Sequence, residues 1–93
     1  MRLPTEYHNL RPKDRRRARL QYMEEQGNEC FYCGESFDGP PLKAVTDLPV
    51  LKRLFPPGFF KHPVHLHHDH NTGMTIGAVH NYCNAVMWQY EGQ

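Results

Sequence analysis

The stretch "HHDHNTGMTIGAVHNYCN", His67 to Asn84, changes its periodicity twice within a short space. Just upstream, "VHLHHDH" from Val64 reads as an extended segment, and "NTG" at Asn71 to Gly73 is turn-like. "MTIGAV" can return as a second strand, and "HNYCNAVMWQY" from His80 has helical character up to Gly92. A strand, strand, helix unit follows. On its helix, His80, Cys83 and Asn84 stand at i, i+3 and i+4, so they share one face or its borders.

Working outward, the chain has 3 cysteines, which cannot all pair as disulfides within one chain. A reducing cytosol favours thiolates held by metal. In "NECFYCGES", Cys30 and Cys33 flank two aromatics and Gly34 closes the turn, the pattern of a zinc knuckle over residues 28–36. The remaining pair at the same spacing is His80-x2-Cys83, which completes a Cys3His set for structural zinc. The competing reading is a lone buried Cys83 with His80 at the surface. A staple is expected on size alone, because 93 residues enclose only a small core.

Residues 12–26, "PKDRRRARLQYMEEQ", read as an amphipathic helix opened by Pro12 and stopped by Gly27-Asn28. Ala18, Tyr22 and Met23 would face the domain, and Arg15, Arg16 and Arg19 would fan outward. These arginines form either a solvated face or a surface that contacts the phosphates of DNA, and charge alone does not decide. The net charge is only +1, but basic residues gather here while acidic ones follow, so a polyanion can dock despite the small total. Residues 37–63 read as a basic, proline-rich insertion, with a short helix in "TDLPVLKRLF" capped by Thr46 or Asp47. Met87, Trp88 and Tyr90 have the spacing of helix core residues. The composition, 39% hydrophobic with 8 prolines, suits a loop-rich globular protein without a membrane span or signal peptide, hence a soluble cytoplasmic one.

The knuckle and the segment from His65 onward resemble the HNH endonucleases with the ββα-metal fold, and within them the recombination endonuclease VII-like group. Members of that group read Asp-His-Asp-His, a Thr-Gly turn, a Gly, then Cys-x2-Cys-Asn. The resemblance implies a small α+β, treble-clef-like domain, residues 1–93, stapled by zinc, with the ββα-metal motif over 64–92 and the basic helix ahead of it. It implies that His68 is the general base of phosphodiester hydrolysis and that His67 and Asn84 hold a catalytic divalent metal. His70 would lie near the scissile phosphate or support the site, and Asp69 would orient a neighbour. Two positions depart from the pattern: His67 stands where the group has Asp, and His80 where it has Cys. Imidazole is an ordinary zinc ligand, so the second change is mild. The first replaces a hard carboxylate, which favours Mn2+, Co2+ or Ni2+ at least as much as Mg2+.

Strand geometry adds a condition. In a regular strand His67 and His68 point to opposite faces, so a bulged or twisted strand end must bring both to one phosphate, whereas His68 and His70 already share a face. His8 and His62 read as surface residues, and His65 as a packing or capping residue outside the site. The alternative function is a non-catalytic zinc module that binds nucleic acid or protein and has no use for His68 and Asn84.

Overall fold

The computed structural model describes residues 1–92. Strand β1 (Val64–His68) pairs antiparallel with β2 (Thr75–His80), and β2 runs directly into helix α3 (Asn81–Glu91). The connecting turn is built by Asp69: its Oδ1 accepts from the backbone N–H of Asn71 at 2.7 Å and of Thr72 at 3.1 Å. Those two donors hold the Asp69 carboxyl below its usual range, Thr72 contributing most. Asp69 therefore orients the turn. Gly73 completes it at φ 78°, a left-handed conformation that a side chain would strain.

Pairing slips between His67 and His68. His67 lies opposite Gly77 and His68 opposite Thr75, which leaves Ile76 as the extra residue of a bulge on β2. Along its outer edge β2 is covered without a third strand. Gln26 accepts from the Ala78 N–H at 2.9 Å and donates to the Ala78 carbonyl at 3.0 Å, so its amide imitates a neighbouring strand. The Phe31 N–H also donates to the Ala78 carbonyl, at 3.0 Å. This docking explains Gly77, where a Cβ would stand 2.8 Å from Gln26 Oε1 and 3.1 Å from Phe31.

Ahead of the hairpin, α1 (Pro12–Glu25) begins on its proline and ends where Gly27 and Asn28 both take positive φ. It packs on the hairpin with Ala18 fully buried, and the Tyr22 hydroxyl shares a 2.9 Å hydrogen bond with Thr75 Oγ1. A small residue at that point lets the helix backbone come close to the hairpin. The N-terminal segment runs back along the turn, with the Tyr7 N–H on the Gly73 carbonyl at 2.8 Å and the Thr75 N–H on the Thr5 carbonyl at 2.8 Å.

The core gathers Cys30, Val79, Cys83, Val86 and Met87 with Val45. Val45 lies on a short helix α2 (Lys43–Thr46), and Val50 packs beside it, so residues 37–63 supply part of the core. The helix expected across Thr46–Phe55 is not formed: Thr46 and Asp47 end α2 instead of opening a helix, and only a 3-10 turn at Lys52–Leu54 follows. Pro49 accounts for this, since it lacks an N–H and disfavours helical backbone in the residue before it. Two of the three expected core residues of α3 are also displaced. Met87 is buried, but Trp88 and Tyr90 are 44% and 48% exposed, because the buried stripe of α3 runs through Cys83, Ala85, Val86 and Met87. Among the described residues, no helix is long and apolar enough to cross a membrane.

Candidate zinc centre and histidine cleft

The knuckle closes through the Gly34 N–H on the Cys30 carbonyl at 2.9 Å and the Cys30 N–H on the Glu35 carbonyl at 2.9 Å. Gly34 sits at φ 81°, the conformation this turn demands. Cys30 and Cys33 then face His80, at the end of β2, and Cys83, in the first turn of α3. The four ligand atoms lie within 4.8 Å of one another, and His80 Nδ1 is 3.5 Å from Cys33 Sγ and 3.9 Å from Cys83 Sγ. Zinc bonds of about 2.3 Å to sulfur and about 2.0 Å to nitrogen place tetrahedral ligands roughly 3.5–3.8 Å apart, so the group could hold zinc.

Two further features fit that ion. His80 Nε2 lies 3.1 Å from the carbonyls of both Ser36 and Gly39, which can only accept. The proton therefore sits on Nε2, and Nδ1 keeps its lone pair toward the sulfurs. Cys30 is pulled down to about 4, chiefly by a hydrogen bond from Cys83 and also by backbone N–H groups including that of His80. The same contact and burial push the Cys83 thiol up. Sulfurs crowded this closely ionise together only around a cation.

On the other side of the hairpin and α3 lies a cleft of about 570 Å3. His65, His67, His68, His70 and Asn84 line it together with Arg15, Arg16 and Arg19 of α1. The three arginines thus do not simply fan into solvent; their helix is turned so that this face meets the histidines. His67 and His68 are both among the residues that line the cleft, and the extra residue Ile76 falls between their partners on β2.

Burial lowers the affinity of His67 for a proton, the charge of His70 adds to this, and the side chain of Asn84 opposes it. His68 falls further, to about 4, through burial first and then the charges of His70, His8, His67 and Arg15. It is neutral at physiological pH. Its ring is stacked on Tyr7 at 3.9 Å between centroids with an interplanar angle of 7°, and His70 stands 4.8 Å away. The Arg15 guanidinium lies 4.1 Å over the Tyr7 ring, and Arg15 Nε is buried with no hydrogen-bond partner.

His65 belongs to this constellation. Its Nε2 donates to the Phe59 carbonyl at 2.8 Å, which leaves Nδ1 as an acceptor. Asn84 Nδ2 donates to that Nδ1 at 3.1 Å, which leaves the Asn84 carbonyl oxygen for His67, whose proton affinity the Asn84 side chain raises. The orientation of the Asn84 amide thus descends from the carbonyl of Phe59. In the sequence, His65 could have been found by alternation with His67, since residues two apart share a strand face. Tyr7, which holds the ring of His68, carries no sequence signal at all. His8 and His62 are exposed, as expected.

Comparison with protein-family models, with curated proteins and with solved structures returns no match.

Proposed function

We propose that this chain is a metal-dependent endonuclease of the HNH type, with the ββα-metal fold, that hydrolyses phosphodiester bonds in DNA. The observation that carries the reading is the meeting, in one cleft, of His67, His68, His70 and Asn84 with three arginines. In this reading, neutral His68 takes the proton of a water as its oxygen bonds to phosphorus and one P–O ester bond breaks. Tyr7 holds the His68 ring in place through the stack, and Arg15, Arg16 and Arg19 receive phosphate oxygens. The unpartnered Nε of Arg15 supports this, because a buried N–H of a charged group calls for an acceptor. His67 and the Asn84 carbonyl oxygen would hold the catalytic ion, and His70 would serve the leaving side of the phosphate. A divalent ion bound there supplies charge stabilisation of the phosphorane and the departing oxygen.

A second reading, a non-catalytic zinc module, is favoured by one feature: His68 and Asn84 both have partners within the chain, Tyr7 and His65. Supercoiled plasmid incubated with purified protein, with and without Mn2+ or Mg2+, separates the two. Nicking or linearisation that depends on added metal and falls at least about 100-fold in His68→Ala supports the nuclease. Intact plasmid under all these conditions, with zinc bound and the fold preserved, leaves the zinc module.

A further inference from the structure

Part of the cleft's lining is aromatic. Phe55 and Phe59 from residues 37–63 line the cleft together with Trp88 of α3, and the rings of Phe55 and Trp88 stand 5.3 Å apart in an edge contact at 63°. Phe55 also touches Phe59 at 4.7 Å, and the Phe59 edge meets His65 at 4.6 Å. Trp88 keeps 44% of its surface exposed. A large ring steadied by another aromatic and still nearly half exposed can take a base in a stack. Arg16 and Arg19 line the same cleft.

A cleft lined both by cationic residues and by an exposed aromatic ring matches the two parts of a nucleotide, its phosphate and its base. A base within a stacked duplex cannot present its face to a side wall; an unpaired base can. The geometry points to a subsite for one unstacked nucleotide of a DNA strand, its base against Trp88 and its phosphate toward Arg16 and Arg19. This rests on the nucleic-acid reading above and narrows it: the strand enters the cleft with one nucleotide unstacked against Trp88. The region between Phe37 and Pro63 then has a purpose, since it brings Phe55 and Phe59 to a site otherwise made by the hairpin and helices.

The chain has 1 tryptophan, so Trp88 emission reports on this subsite alone. A single-stranded oligonucleotide and the matched intact duplex are titrated into the zinc-loaded protein without added catalytic metal, following anisotropy for binding and emission for stacking. The expected result is tighter binding of the single strand, with Trp88 quenched by it. Trp88→Ala should weaken single-strand binding at least about fivefold, the scale of losing one base stack, with duplex binding unchanged and Trp88→Phe restoring most of the loss. Binding with unaltered emission, or equal weakening for both DNAs in Trp88→Ala, overturns the subsite and leaves the nuclease reading standing. Binding to neither DNA overturns both. A concentration-dependent shift of emission without DNA assigns the aromatic face to a second copy of the chain and also overturns the proposal.

Discussion

Replacing Cys33 by Ser distinguishes a zinc-built domain from a domain that merely contains cysteines. Cys33 is only half-buried, so loss of its packing alone costs less than about 1 kcal/mol, by the area rule for apolar burial. If zinc is bound, the same change removes one thiolate from ligands that join the knuckle, the end of β2 and the start of α3. Structural zinc contributes about 10–16 kcal/mol in small domains, at or above the ~5–15 kcal/mol that is a domain's whole stability. The two cases therefore differ by an order of magnitude. At about 4–8 °C of Tm per kcal/mol for a chain of this size, packing loss lowers the melting temperature by a few degrees, whereas zinc loss abolishes the cooperative transition. The assay is circular dichroism melting with zinc content measured by mass spectrometry, on the parent, on Cys33→Ser, and on the parent treated with chelator. A Cys33→Ser protein that melts cooperatively within a few degrees of the parent, or a parent free of zinc that melts normally, refutes the assignment.

Ala at Gly77 would meet Gln26 Oε1 at 2.8 Å and displace an amide that makes three hydrogen bonds, two to Ala78 and one to the Glu29 carbonyl. At about 0.5–1.5 kcal/mol each, Gly77→Ala should cost about 2–4 kcal/mol, and an unchanged Tm would show that Gln26 does not guard this edge. His65→Ala should free the Asn84 amide to turn and weaken Mn2+ binding about 10- to 100-fold while zinc is retained. Calorimetric Mn2+ titration with equal affinity in the variant and parent would rule out that role for His65. His68 has its proton affinity depressed to about 4 in the fold against about 6.5 when unfolded, so the unfolded chain binds more protons between these values. Its contribution is therefore full above about pH 6.5 and is lost as pH falls toward 4; His68→Gln should show a shallower fall of Tm from pH 7 to 5, and parallel curves would contradict the depressed value.

What the sequence determined on its own was everything set by short spacing. The hairpin followed from alternation and the Asn71–Gly73 turn, helix α1 from Pro12 and Gly27, and the zinc group from two ligand pairs at x2 separation. These are local because a turn, a helix start or a knuckle is fixed by a few consecutive residues. Tertiary structure decided the rest. The Ile76 bulge, opposite the step from His67 to His68, was a requirement in the sequence but had no address there, since a bulge is a property of register between two strands. The helix placed at Lys43–Thr46 rather than beyond it answers to Val45 packing in the core. The stack of Tyr7 on His68 and the bond from Asn84 to His65 join residues distant along the chain, and no local pattern encodes them. Trp88 lies one position beyond the buried stripe of α3, and only the packing of the helix on its neighbours could show that this ring faces the cleft instead of the core.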